Sequence, residues 1–312
     1  MSRKTRRDDD GAEVKDDRVS DLSDDILYHI LSSLDDTKLV VQTSVLSKRW
    51  RDLWKDVGVL NLNQNSSAIQ GGINFVRKFL HLRSQQATID KVSLTSNYAR
   101  GKNRDDLGIL LDDEPLEMVL DHAAGRTKHR ESSLEALELV DCDRVDLGSI
   151  SGGCRMLTTL ELRGCEGMVS RGHDDDPFAN IPLLRCLKLL DCSLWSSSHR
   201  FKVTGLQLLR LEIRSSRWFS VSQVLAPKLE SFCFTTHVSH MVELPELNLP
   251  SLDRATVSMV SYPDAGLYNE LGWCSRVAVN FLQGLRNVKS LDLYFEDVVL
   301  YLSYSFTPRI DA

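Results

Sequence analysis

Paired cysteines are missing from this sequence. The seven cysteines are odd in number, contain no C-x-x-C pair and are spread from Cys142 to Cys274, which excludes a disulfide framework or a zinc ribbon. Long apolar runs are missing too: none approaches the ~20 residues that span a bilayer. The opening MSRKTRRDDD has no hydrophobic stretch behind its charges, so it is not read as a secretory signal. Excess positive charge is also lacking, and a formal charge of −6 gives no global drive towards nucleic acid or an anionic membrane. No G-x-S-x-G elbow, H-E-x-x-H, P-loop or dinucleotide fingerprint occurs, so no enzyme class announces itself. The expectation is a non-enzymatic protein of the nucleus, the cytoplasm or both, with no cofactor and no metal.

What is present is ordinary in bulk and specific in pattern. With 42% hydrophobic and 26% charged residues over 312 positions, the chain can hold a small module and a sizeable second domain. Residues 17 to 54 read DRVSDLSDDILYHILSSLDDTKLVVQTSVLSKRWRDLW. Ile26, Leu27, Ile30, Leu31 and Leu34 form a broad apolar helix face. Ser23 stands where an N-cap is needed, followed by Asp24 and Asp25 in the first turn, where negative charge meets the positive helix end. A second segment carries Leu39, Val40, Val41, Val45 and Leu46. A third is predicted to begin at Ser47 and to set Trp50 and Trp54 one turn apart. So short a unit seldom makes a stable core alone, which marks it as a docking module.

A second pattern begins near residue 86. LEALELVDC at 134–142, LTTLELRGC at 157–165 and LRCLKLLDC at 184–192 all obey L-x-x-L-x-L-x-x-C. Weaker copies are read at Leu206/Leu209/Leu211, Leu229/Phe232/Phe234, Leu252/Ala255/Val257 and Val288/Leu291/Leu293, with an earlier one at Ile89/Val92/Leu94. The spacing is that of a leucine-rich repeat, roughly 20–29 residues. Within each unit x-L-x-L is the period-2 alternation of a half-buried strand. Leu137 and Leu139, Leu160 and Leu162, and Leu187 and Leu189 therefore point inward together, and parallel stacking gives a curved solenoid in which no unit is stable alone. Cys142, Cys165 and Cys192 suit the buried turn after each strand and are read as packing residues. Helical spacing at Asn74 to Leu82 and Asp112 to Ala124 predicts helices on the convex side. Asn97 to Asp106 and Ser170 to Asn180 read as loops.

The first segment is similar to the F-box of plant F-box proteins, D-R-[IV]-S-x-L-P-D-x-[IL]-L-x-x-I-L-S-x-L followed by T-S-x-L-S-[KR]-R-W-R-x-L-W. Thr43, Ser44, Leu46 to Trp50, Arg51, Leu53 and Trp54 match almost position for position, whereas Ser23 replaces a proline that would preset the first helical turn. With the repeats, the chain resembles plant F-box/LRR proteins. FLQGLRNVKSLDLYF at 281–295 looks like the repeat that leads into a C-terminal FBD domain in such proteins, and no such domain fits before Ala312. The fold expected is α/β: a charged disordered arm (1–17), a small three-helix all-α F-box (18–59), a helical linker (60–85) and irregular leucine-rich repeats (86–312). The repeats are to form a curved parallel sheet with helices or irregular segments on its convex side.

The resemblance implies a substrate receptor of an SCF-type cullin–RING ubiquitin ligase. The F-box would dock a Skp-type adaptor, and through it the cullin–RING scaffold; the repeats would hold an unknown protein substrate. Neither nucleic acid nor membrane is an expected partner. The adaptor-contacting residues it implies are Leu22, Ile26, Leu27, Ile30, Leu31, Val45, Leu46, Arg49 and Trp50, each of which could equally belong to the module's own core. On the strands, the residues beside the inward leucines would face the substrate: Glu138, Glu161, Arg163, Lys188, Arg210, Glu212, Thr256, Asp292 and Tyr294. The alternative is a leucine-rich interaction protein with a degenerate F-box and no ligase role. His173 with Asp174 to Asp176, and His237 with His240, carry metal-ligand atoms, but consecutive residues rarely converge on one ion and the pair has no partner at matching spacing. Arg3, Lys4, Arg6 and Arg7 suit a nuclear import signal or a plain basic arm.

Overall fold

The computed structural model describes Val19 and residues 22–65, 69–84, 86–97, 113–123, 133–142, 145–166, 168, 176–193, 200–215, 220–238, 244–261 and 280–296. Helix α1 (Asp24–Ser32) buries Leu27 and Leu31, and α2 (Thr37–Gln42) buries Thr37 and Val40. Asp36 caps α2 by accepting the Lys38 backbone N–H at 2.8 Å. Ser23 occupies the N-cap of α1 in extended backbone, yet its hydroxyl makes no capping bond. The third α-helix expected from Ser47 does not form. A 3₁₀ turn at Thr43–Val45 precedes Ser47, and turns followed by a second 3₁₀ turn at Leu53–Asp56 take the helix's place. The Ser47 hydroxyl is buried without a partner instead of capping, so the first backbone N–H groups of a helix there would have gone unsatisfied. Trp50, Leu53 and Trp54 still enter the core.

Nine parallel strands follow: β1 (Val59–Asn65), β2 (Lys91–Asn97), β3 (Ala136–Val140), β4 (Thr159–Arg163), β5 (Cys186–Cys192), β7 (Arg210–Ser215), β9 (Ser231–Val238), β11 (Arg254–Ser261) and β12 (Ser290–Glu296), neighbours in that order. The register aligns the inward residues into two ladders across the sheet, one of them running from Leu60 through Val92, Leu137, Leu160, Leu187, Leu211, Phe232 and Ala255 to Leu291. Two expectations are corrected here. The sheet starts at Val59, the last residue assigned to the F-box, and β1 runs on into the segment read as a helical linker, because Val57, Leu60 and Leu62 make a further unit ahead of α3 (Ile69–Leu82). The unit read at Leu206/Leu209/Leu211 is displaced by two residues. Leu211 pairs with Leu187 and Ile213 with Leu189, so Leu208 is the buried first leucine while Leu206 is 68% exposed.

The buried side of the sheet is covered first by α3, α4 (Asp113–Ala123) and α5 (Leu147–Gly153), the first two where helical spacing predicts them. Further along, the cover changes from helices to a second parallel sheet of β6 (Arg200–Thr204), β8 (Ser220–Leu225) and β10 (Glu246–Asn248), in the order β10-β8-β6. Alternation explains the change: Phe201 and Val203 on β6 are buried, with Lys202 exposed between them.

Each cysteine-containing unit leaves its strand through a left-handed residue: Asp141 (φ 53°), Gly164 (φ 60°) and Asp191 (φ 54°). These are residue types that tolerate this conformation. The turn sends the next side chain inward, so Cys142, Cys165 and Cys192 stack beneath the sheet edge. Their thiols donate to carbonyls of the preceding unit: Leu94 at 3.8 Å, Leu139 at 3.4 Å and Leu162 at 3.3 Å.

The two patterns of the sequence share one continuous core. The Asn61 backbone N–H donates to the Thr37 hydroxyl at 2.9 Å, and its side-chain amide to the Leu34 carbonyl at 2.7 Å. Arg83, at the end of α3, donates to the carbonyls of Val57 (2.6 Å) and Thr88 (2.9 Å) and lies over the Phe79 ring.

Candidate docking surfaces

The helical module presents an apolar face that its own core does not use. Val45 is 84% and Leu46 65% exposed, in the turn that leaves α2, and Ile26, Ile30 and Leu39 are exposed beside them on the helices. Five exposed apolar side chains on so small a unit mark a partner surface. Of the nine residues singled out in the sequence, four form it: Ile26, Ile30, Val45 and Leu46. Leu27, Leu31 and Trp50 fill the module's core instead, and Leu22 is half-buried against that core. Arg49 borders the face, its Nη2 2.6 Å from Asp24 Oδ1 at the start of α1, which ties the 46–51 turn to that helix. Leu39, read in the sequence as part of the second apolar segment, was not among the nine. In the run Leu39-Val40-Val41 the buried member could be identified only from Thr37 and Val40 packing inward together.

The second surface is the face of the nine-stranded sheet that points away from the core. All nine residues predicted to face a substrate lie on it, in three rows fixed by the register. The central row runs Asn61, Ser93, Glu138, Glu161, Lys188, Glu212, Cys233, Thr256, Asp292. The row towards the strand exits holds Arg163, Arg214 and Tyr294, and the row at the strand entries Lys91, Cys186, Arg210 and Arg254. Lys91, Arg214, Arg254 and the two half-buried thiols were not among the predicted set, although the same i±2 alternation reaches them.

At the centre of this face Glu161 accepts from Arg163 at 2.5 Å and from Lys188 at 2.9 Å. Burial alone would raise the Glu161 carboxyl, but these two cations outweigh it and hold it below the usual carboxylate range. Arg163 and Lys188 are both held up by hydrogen bonding to the same carboxylate. Burial pushes the Cys186 and Cys233 thiols up, away from the thiolate form that nucleophilic chemistry needs. Among the described residues no group of three or more His, Cys, Asp or Glu could hold a metal ion, and no helix is long and apolar enough to cross a membrane. The His173 to Asp175 loop, His240, the His237 side chain and the Arg3 to Arg7 cluster lie outside the described residues.

Residues 19–62 match the F-box domain family. Over 306 aligned residues the chain is 29% identical to F-box/LRR-repeat protein At5g02910 of Arabidopsis thaliana, covering 89% of this chain and 60% of that protein. F-box/LRR-repeat protein At3g03360 of the same plant is 25% identical over 300 residues, covering 89% of this chain and 59% of its own length. F-box/LRR-repeat protein 25, also from Arabidopsis thaliana, is 28% identical over 179 residues, 49% of this chain and 69% of that protein. F-box proteins with FBD in their names match over shorter stretches. The chain thus carries an F-box domain and is similar to plant F-box/LRR-repeat proteins over most of its length, while spanning about three-fifths of the length of At5g02910 and of At3g03360.

Proposed function

We propose that this protein is a substrate receptor of an SCF-type cullin–RING ubiquitin ligase. In this reading the F-box docks a Skp-type adaptor and the sheet face holds a protein to be ubiquitinated, in the nucleus or the cytoplasm. The observation that carries it is the exposure of Val45 and Leu46 within the F-box. Each side chain, moved from water into an adaptor groove, contributes about 1.5–3 kcal/mol. Among the described residues nothing covers them. The protein performs no chemistry in this account: it raises the local concentration of a substrate lysine near a ubiquitin-charged enzyme, which is a proximity effect.

The test is co-purification of the full chain with a plant Skp-type adaptor, beside a Val45→Asp/Leu46→Asp double variant. Both positions are exposed, so the variant should keep its melting temperature while adaptor affinity falls by about 100-fold or more. Trp50→Ala is not a clean probe of the interface, because Trp50 is 5% exposed and its loss costs about 3–5 kcal/mol of folding stability. A folded wild type that fails to bind the adaptor would sink the receptor reading, leaving a leucine-rich interaction protein with a degenerate F-box.

A further inference from the structure

Charge is sorted by row on the open sheet face. Across its three rows the described strands carry six cations (Lys91, Arg163, Lys188, Arg210, Arg214, Arg254) and four carboxylates (Glu138, Glu161, Glu212, Asp292). These three rows are therefore net positive by two on a chain of formal charge −6. All four carboxylates stand in the central row, and every charged residue of the two flanking rows is a cation. Glu161 is neutralised in place by Arg163 and Lys188, and Arg214 lies 3.7 Å from Asp191 at a strand exit. The strand-entry row is different: Lys91, Arg210 and Arg254 are all exposed, and no carboxylate shares their row. Arg210 and Arg254 stand on β7 and β11 with Ser231 of β9 between them, about 10 Å apart at two strand spacings.

We propose that the partner engaged by this face is recognised through an acidic, carboxylate-rich peptide segment laid across the strand entries, with Arg210 and Arg254 as its principal contacts and Lys91 at its far end. This deepens the receptor reading by naming the substrate chemistry, and it rests on that reading. Arginine suits the task because its planar fork takes a carboxylate in two parallel hydrogen bonds. Two guanidinium groups held two strands apart in one sheet are pre-spaced, so little ordering remains when the segment binds. From Lys91 on β2 to Arg254 on β11 the row crosses six strand spacings, about 29 Å, which an extended peptide of roughly nine residues covers.

The experiment measures fluorescence anisotropy of a labelled glutamate-rich peptide of about 12 residues against the full chain, beside a lysine-rich peptide of equal length. The glutamate peptide should bind, with affinity falling as salt rises. An Arg210→Glu/Arg254→Glu variant should weaken it at least about tenfold. Lys228→Glu, an exposed cation off this face bonded to Gln207, should leave it unchanged. Equal binding of the lysine peptide, indifference to the double charge reversal, or displacement by single-stranded RNA at lower concentration than by unlabelled peptide would each overturn the proposal. Adaptor binding by the same samples reports separately on the receptor reading: Val45→Asp/Leu46→Asp should abolish adaptor capture and leave peptide affinity intact, and Arg210→Glu/Arg254→Glu should do the reverse.

Discussion

Gly164, Asp141 and Asp191 perform the same backbone task with different side chains, and the difference is measurable. At φ 60° a Cβ is strained, so Gly164→Ala should cost about 1 kcal/mol, read as a lower denaturant midpoint. Asp141→Gly should be neutral or mildly stabilising by the same argument. Glu161 makes a pH prediction with a definite sign. Its carboxyl titrates lower in the folded state than in the unfolded chain, where it sits at about 4.3. The stabilisation it contributes is therefore complete above that range and lost as pH falls through the folded value. Glu161→Gln should lower the melting temperature at neutral pH, and the gap to the wild type should close in acid. A gap independent of pH would refute the role given to Arg163 and Lys188. Arg83 is pulled down to about 10 by burial, with Asp56 and Asp90 opposing, so it remains charged at neutral pH. Its two carbonyl bonds need a fork that lysine lacks, so Arg83→Lys should cost about 1–3 kcal/mol in thermal unfolding.

Register is the property that decides which elements stack, and it can be tested at a single unit. Leu208→Ala should cost about 2–5 kcal/mol, since Leu208 is fully buried. Leu206→Ala should stay within about 0.5 kcal/mol of the wild type; the opposite ranking would restore the displaced reading. The stretch LQLLRLEI at 206–213 shows why sequence alone missed this. It offers overlapping L-x-x-L-x-L frames, and only pairing with β5 selects one. Where the frame was unique, as at Leu134/Leu137/Leu139 or Leu157/Leu160/Leu162, the strands, the inward leucines and the turn cysteines were all legible. So was the face on which Glu138 to Tyr294 lie, because period 2 leaves no choice. The split of the F-box face was not legible. Ile26 and Leu27 are both apolar and adjacent, and which one turns inward depends on where Trp50 and Trp54 pack. The β6-β8-β10 sheet was missed for a related reason: segments of three to six residues carry too short an alternation to be told from a loop.

At the scale of the whole molecule the F-box closes one end of the solenoid. Leu60 and Leu62 on β1 are as buried as the leucines of any central strand, because α2 and the Leu34–Thr37 turn cover that end. At the other end Leu291 and Leu293 on β12 are 39% and 40% exposed. A parallel stack with one closed and one open end should open from the open end, since each unit is held by its neighbours. Hydrogen exchange followed by mass spectrometry should find β12 amides exchanging first, β3 to β5 last, and β1 in step with α1 and α2. The shared bonds at Asn61 and Arg83 make that last point the sharpest. An F-box that exchanged in its own faster phase, independent of β1, would mean that the module hangs on the repeats as a tethered domain. Exchange in one phase would mean that the exposed turn at Val45 and Leu46 and the row at Arg210 and Arg254 are held in fixed relation by a single core. Under the receptor function proposed above, a chain built that way would present its substrate at a set distance instead of a distribution, so loosening Arg83 should weaken ubiquitin transfer even where adaptor and substrate affinities are unchanged.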